Sequence, residues 1–159
     1  MSTDTLRGQP PRLVLVNLVT LEELEAWMNP PALSEQRGAQ WNRLAIPGLG
    51  YQALQFGGTT NRKLADLTLV FDRRTHPYAD LDVARLFLDG LVAPAAPAPA
   101  SGPPRVLFVW PRLLSIETIV ESVELTHDHV AVDGTPMAMT AKITFEQVVE
   151  MRSLAQGVV

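Results

Sequence analysis

The chain has no cysteine in its 159 residues and more acidic than basic side chains. Without thiols it can hold neither a disulfide framework nor a thiolate metal site, which fits synthesis in a reducing cytoplasm. Thirteen Lys and Arg stand against 17 Asp and Glu, for a net charge of -4. No basic stripe or interleaving of basic and aromatic residues occurs. We therefore expect no direct contact with nucleic acid.

Long apolar runs are also absent. Residues 1–11 lack the apolar core of a secretion signal, and no stretch approaches the roughly 20 apolar residues of a membrane helix. The sequence predicts no direct membrane contact. Hydrophobic residues nevertheless make up 47% of the chain and charged residues only 19%. This balance favours a protein that buries additional surface in an assembly.

The length fits one domain with a single core. We expect residues 1–11 to form a flexible N-terminal tail, residues 12–152 a single domain, and residues 153–159 a C-terminal tail. Within the domain, residues 93–104 contain five prolines among alanines. Prolines cannot donate to a strand ladder, so this segment is predicted to be an extended surface loop.

The first half of the chain offers one clear strand, one ambiguous segment and one clear helix. Residues 12–19 are nearly all apolar and β-branched, which predicts a buried strand. Residues 20–27 are ambiguous, because Thr20 with Glu23 imitates a helix capping box while strand alternation there is poor. Residues 78–92 carry apolar side chains at helical spacing, with Asp80 or Asp82 as cap.

Residues 52–72 predict a long β-hairpin around which the domain is built. Its second arm places Ala65, Leu67, Leu69 and Phe71 on one face. Its first arm would be residues 51–56. The connection 57–61 is rich in Gly, Thr and Asn, which suit a turn. We expect antiparallel arms and a projecting tip that is free to touch a neighbouring molecule.

The second half of the chain is predicted to be β-rich. Residues 105–110 form a buried strand, and residues 115–126 change apolar parity between Ile116 and Ile119, as a β-bulge would cause. Asp133 and Gly134 predict a turn. Residues 137–145 alternate without interruption, with Met137, Met139, Ala141, Ile143 and Phe145 on the core face.

No set of side chains predicts catalysis. His127 and His129 share a strand face at a spacing that metal sites use, but the third histidine, His76, is distant in sequence and no cysteine assists. No nucleophile elbow occurs. The pair Gly57 and Gly58 lacks the lysine of a phosphate loop. We expect no cofactor, no metal and no enzymatic activity.

The expected turn and the start of the second arm hold the candidate interface residues. Arg62 and Lys63, with Asp66 on the same arm, are candidates for salt bridges between subunits; ordinary solvated surface charges are the alternative. The predicted subunit-interface residues are Gly57, Gly58, Asn61, Arg62, Lys63 and Asp66.

Several segments, taken in order, resemble one protein family. They are Met28-Asn29-Pro30 with Leu33-Ser34; Trp41 with Ile46-Pro47-Gly48-Leu49; Leu54-Gln55-Phe56-Gly57-Gly58; Arg62 and Leu64; Leu67-Thr68-Leu69-Val70-Phe71-Asp72; Asp82-Val83; Pro103-Pro104 with Phe108-Val109-Trp110; and Asp133-Gly134-Thr135-Pro136. Together they resemble the tube-like baseplate proteins of contractile injection systems, which are phage-tail-like particles built from stacked rings. The resemblance extends over residues 12–149.

The resemblance implies a mainly β (α+β) fold: a tail-tube-like β-sandwich or small barrel with one flanking α-helix and a long β-hairpin. It favours a strand ending at Asn29-Pro30 for the ambiguous segment. It implies a structural subunit of a hexameric ring in the inner tube or baseplate hub, connecting the tube to the spike complex. Implied partners are further copies and neighbouring tube, baseplate and spike proteins.

The family likeness also sets expectations for location and modules. The protein would be made in the bacterial cytoplasm and become part of an assembled injection particle. Family members often carry a C-terminal LysM module, a peptidoglycan-binding type that this sequence does not include, so we do not expect cell-wall binding. The alternative function is a small-ligand-binding β-barrel, in which residues 67–71 and 137–145 would line a cavity.

Overall fold

The computed structural model describes residues 11–94 and 102–149. The two tails therefore lie almost entirely outside the described residues, as does most of the loop predicted at 93–104. The elements are β1 (Val14–Asn17), β2 (Glu23–Glu25), β3 (Ser34–Gln36), β4 (Ala39–Leu44), β5 (Ala53–Thr59), β6 (Lys63–Asp72), α1 (Leu81–Gly90), β7 (Val106–Trp110), β8 (Leu114–Val130) and β9 (Pro136–Gln147). The predicted mainly β class with one helix is confirmed.

Seven strands form one antiparallel sheet in the order β2-β1-β7-β8-β9-β6-β3, and β4 pairs with β5 in a separate two-stranded sheet. The large sheet is strongly curled. Trp27 follows the edge strand β2, yet its ring lies 5.3 Å from that of Phe71 in β6, near the opposite edge. The two ends of the sheet thus approach each other, as in a partly closed barrel.

The central strand β9 confirms most of the alternation expected from the sequence. Met139, Ala141, Ile143 and Phe145 are fully buried. Thr140, Lys142 and Thr144 face away from the core, because successive side chains of a strand point to opposite sides. The start of the strand departs from the prediction: Met137, expected on the core face, is only partly buried, whereas Ala138 is buried. The strand pairs with β8 on one side and β6 on the other. Its position is therefore fixed by two ladders and one apolar face.

A tight turn links β8 to β9 at the predicted position. Gly134 has a φ of 87°, a conformation that glycine adopts without strain. Its amide donates to the carbonyl of Ala131 at 2.9 Å, and Asp133 accepts from the amide of Thr135 at 3.0 Å. The Asp133-Gly134 prediction is confirmed.

The helix α1 closes one side of the core. The Asp80 carboxylate caps its start by accepting from the Asp82 amide at 2.9 Å. Leu81, Ala84 and Leu88 are buried on its inner face. The spacing that predicted the helix is the spacing that lets these side chains meet the sheet.

The core is filled rather than hollow. Its members are Leu13, Leu15, Leu24, Ala26, Leu64, Leu67, Leu69, Phe71, Leu81, Ala84, Phe87, Leu88, Leu91, Val106, Phe108, Val120, Met139, Ala141, Ile143 and Phe145. Phe108 and Phe145 make an edge contact at 5.3 Å between ring centroids. The strand faces that a ligand-binding barrel would need are therefore packed against other core side chains.

The long hairpin exists, but its predicted arms are wrong. Residues 53–59 do not pair with β6. Instead β3 pairs with the start of β6 and β4 pairs with β5, so the arms run through 34–44 and 53–65 and the closing turn lies at 45–52. The reason is that β6 takes β9 as its partner, which places the apolar faces of both strands in the core, whereas β5 pairs with β4 outside the core.

The ambiguous segment after β1 forms a turn and a short strand instead of a helix. Asn17 accepts at its side-chain oxygen from the amides of Val19 and Thr20, at 2.9 and 3.2 Å, and Leu21 has a φ of 63°. Side-chain hydrogen bonds to nearby amides compete with helix formation. The capping-box signal is thus overridden, and β2 pairs with β1.

The register shifts of β8 and β6 lie where the sequence did not place them. In β8 the register shifts between Val120 and Ser122 and again between His127 and Val130, not between Ile116 and Ile119 as predicted. In β6 it shifts between Leu64 and Leu67, and Asp66 takes a φ of 53°. Ala65 consequently leaves the core face on which the sequence placed it, and Leu64 takes its place.

Replacing Phe145 with alanine should lower the free energy of unfolding by about 3–5 kcal/mol, because the core cannot fully refill the space of a lost ring. Urea unfolding followed by circular dichroism measures this loss. Phe56→Ala is the matched control, since that ring is 56% exposed; its loss should stay near 1 kcal/mol. Equal losses would contradict the core described above.

Candidate subunit interface

The outer part of the hairpin, β4 with β5, stands away from the core. No residue from 34 to 52 is buried. The register places Trp41 opposite Phe56 and Arg43 opposite Leu54, so these four side chains share one face, called here the Trp41 face. Asn42 lies on the other face, opposite Gln55.

The Trp41 face is apolar and open to solvent. The Trp41 and Phe56 rings pack edge to face at 5.5 Å between centroids, yet each is more than half exposed, as is Leu54. Contiguous exposed aromatic and aliphatic surface is rare on monomers and typical of sites that contact another protein. Nothing among the described residues covers this face.

The closing turn adds further apolar surface. Pro47 and Gly48 occupy its centre, with the Leu49 amide donating to the Ile46 carbonyl at 3.1 Å and Gly48 at a φ of 87°. Proline at the second position and glycine at the third suit such a turn, because proline fixes φ and glycine accepts a positive φ. Ile46, Leu49 and Tyr51 are all exposed. The hairpin thus ends in an apolar tip.

The predicted interface residues Gly57 and Gly58 lie within β5 instead of at a tip. The register shifts opposite Gln40 and Trp41, which makes Gly57 part of a bulge, and Gly58 has a φ of 136°. A Cβ on Gly57 would come within 3.2 Å of the Asn42 side chain. The two glycines therefore shape the hairpin arm, and a contact with another subunit remains a prediction.

Asn61, Arg62 and Lys63 lie at the base of the hairpin, where each finds a partner within the chain. The Asn61 amide donates to Glu146 at 3.3 Å, and Arg62 lies 3.8 Å from Glu35. Lys63 forms the closest pair, with its Nζ 2.8 Å from a carboxylate oxygen of Glu121 in β8.

The sixth predicted residue, Asp66, lies apart from the other five. It occupies the bulge of β6, and its amide donates to the Thr144 hydroxyl at 3.4 Å. The structure therefore spreads the six residues from the hairpin arm, through its base, into the large sheet, and does not gather them into one patch.

The contact between Lys63 and Glu121 shifts the pKa of both side chains. The hydrogen bond to Glu121 raises the pKa of Lys63, and the same hydrogen bond lowers the pKa of Glu121. The pair joins the base of the hairpin to β8. Both side chains are partly open to solvent, so water weakens the contact.

A second open surface is the edge of β8. The neighbouring strand β7 pairs with β8 only over residues 114–118. From 119 to 130, the β8 edge that faces away from β9 has no strand partner in the described parts of the chain. A free strand edge of this length presents unpaired amides and carbonyls to any neighbouring strand.

A family model for contractile injection system tube proteins matches residues 17–156. The chain belongs to this family. No curated protein matches the tube protein. The match confirms the family suggested by the sequence motifs.

Two further findings concern groups that other functions would require. Within residues 11–94 and 102–149 of the tube protein, no three His, Asp or Glu side chains are grouped to hold a metal ion. His127 and His129 lie on β8. The helix that the structure describes is too short to cross a membrane.

The sequence carries no clear signal for the Trp41 face. Trp41 and Leu44 are apolar while Asn42 and Arg43 between them are polar, so residues 39–44 lack the strict alternation of a half-buried strand. The predicted hairpin arms therefore lie one strand later in the chain than the observed arms. The open edge of β8 had no signal, since it depends on where β7 ends.

Replacing Glu121 with glutamine should lower the denaturant midpoint of the tube protein at pH 7. A carboxylate whose pKa is lowered in the folded state stabilises the fold above its unfolded pKa, and this contribution fades as pH falls through the folded pKa. The difference between wild type and Glu121→Gln should therefore be full above about pH 5 and vanish in stronger acid.

At alkaline pH the contribution of Lys63 to stability depends on pH in the opposite direction. The pKa of Lys63 is raised, so its contribution is complete below about pH 10 and is lost as pH rises further. Glu124→Gln is the control, because Glu124 forms no ion pair within the described residues. A difference between Glu121→Gln and wild type that persisted in acid would refute the role given to this pair.

Proposed function

We propose that this tube protein is a structural subunit that assembles with copies of itself into a hexameric ring of a contractile injection particle. The ring would lie in the inner tube or baseplate hub and connect the tube to the spike complex. Its partners are further copies of the chain and neighbouring tube, baseplate and spike proteins. The observation that carries the proposal is the open edge of β8, at residues 119–130.

An open edge favours assembly by strand addition. A strand from a second copy can pair with residues 119–130 and satisfy backbone groups that a monomer leaves to water. The contact is heterologous, because the edge of one copy meets a different edge of the next. Heterologous contacts close into rings when the rotation between copies divides a full turn.

The face of the large sheet that points away from the core is polar, as expected for the wall of a water-filled channel. Across β8, β9 and β6, Thr126 lies beside Thr140, and Glu124 lies beside Lys142 and then Thr68. These positions alternate with core positions, so their side chains point away from the core. A surface of threonines and charges suits the lining of an aqueous channel through a ring.

The same features lead us to propose a structural role and no catalytic one. The family is one of tube proteins, whose task is to build a particle. The apolar hairpin, the open edge and the polar sheet face all serve contact or passage, and none of these requires a nucleophile, an acid-base pair or a metal.

The purified chain should form rings of six copies. Native mass spectrometry should give about 104 kDa, which is six times the 17.4 kDa chain, and negative-stain images should show six-fold rings with a central hole. A chain that stays monomeric at all concentrations and does not occur in purified particles would refute the proposal.

Hydrogen exchange of backbone amides tests the proposed strand addition position by position. On assembly, amides within residues 119–130 of β8 should become more protected, while those of β9 should change little, because β9 already pairs on both sides. Rings without added protection in β8 would refute strand addition at this edge.

A further inference from the structure

The Trp41 face carries a positive charge, on Arg43, beside its apolar side chains. No acidic residue occurs between Gln36 and Ala65 in the sequence. Arg43 belongs to the Trp41 face and forms no ion pair within the described ranges. Any surface that covers this face must therefore supply apolar contact and a carboxylate.

A groove between β2 and α1 has the complementary character. It encloses about 420 Å³ and is lined by Glu22, Glu23, Leu24, Val83, Leu86 and Phe87. Val83 and Leu86 are mostly exposed, although both are aliphatic. The carboxylates of Glu22 and Glu23 have no ion-pair partner in the parts of the chain that the structure describes.

The two surfaces do not cover each other within one chain, because Trp41, Leu54 and Phe56 on the face and Val83 and Leu86 at the groove all remain exposed. We infer that the hairpin of one copy lays its Trp41 face into the β2–α1 groove of a second copy. Trp41, Leu54 and Phe56 cover the aliphatic side chains of α1. Arg43 pairs with the glutamates at the groove.

The dimensions agree with this contact. The six paired residues of β4 span about 20 Å at the rise of a strand, and the ten residues of α1 span about 15 Å at the rise of a helix. A hairpin arm can therefore cover the helix along its length. Like the strand addition proposed above, the contact is heterologous and repeats around a closed ring.

This inference rests on the proposed self-assembly and names a second surface through which it occurs. Burial of apolar side chains supplies most of the stabilisation, and the charge pair fixes which surfaces meet. The hairpin then reaches beyond its own subunit, which accounts for an apolar face left open in the single chain.

Cross-linking tests the contact directly, because the natural chain has no cysteine. A Leu54→Cys copy is mixed with a differently tagged Leu86→Cys copy and oxidised. We expect a disulfide-linked heterodimer between the two tagged chains. In the control, Leu54→Cys is mixed with Val132→Cys, a fully exposed position in the β8–β9 turn, and should give little product.

Charge reversal supplies the second test. Arg43→Glu should raise the concentration needed for ring formation at least tenfold, because it places like charges together. Glu22→Arg with Glu23→Arg should do the same. Combining all three changes should restore assembly, a rescue that misfolding cannot produce. Arg112→Glu, in the turn between β7 and β8, is the control and should assemble normally.

The outcomes separate this inference from the proposed function. If the wild-type chain forms rings, but the Leu54→Cys and Leu86→Cys copies give no cross-link and Arg43→Glu still assembles normally, the hairpin contact is overturned and the ring proposal stands. A wild-type chain that forms no ring would overturn both. Cross-linking together with rescue by the triple variant would establish the contact.

Discussion

Two ladders hold β9 in place, and the rest of the structure depends on them. β9 pairs with β8 along one side and with β6 along the other, and its inward side chains are closed off from water. Because a slip of one residue would turn the whole apolar face outward, the register of all three strands is fixed together. The helix then packs on the side of the sheet that this register makes apolar.

The proposed assembly depends on surfaces that lie outside that core. The hairpin of β4 and β5 buries none of its side chains, and β8 continues well past the end of β7. A monomer would keep an apolar face and a free strand edge in water, both of which favour aggregation. In the proposed ring of identical copies the same surfaces would become specific contacts. The base of the hairpin is tied to β8 by Lys63 and Glu121, which links the two surfaces.

The elements predicted correctly share a local cause. The helix at Leu81–Gly90, the Asp133-Gly134 turn and the alternation of β9 are each specified by residues within one segment. The prediction of the hairpin arms was wrong because distant residues decide which strands pair. β6 pairs with β9, which lies about 70 positions further along the chain, instead of with β5. The bulges in β6 and β8 were not predicted at their observed positions for the same reason, since a bulge is defined only against a partner strand. The sequence predicted a hairpin and six interface residues, but it did not predict the Trp41 face.

By itself, the sequence determined the class of fold, the helix, the strongest strand and the family, because periodicity, turn residues and motif order are properties of the chain read in one direction. Only the tertiary structure decided which strands pair, which apolar side chains remain in water and where a strand edge stays open. Those features arise from competition among segments for burial and for backbone partners. The outcome depends on the relative stability of all pairings at once, so it is not written in any single stretch of residues.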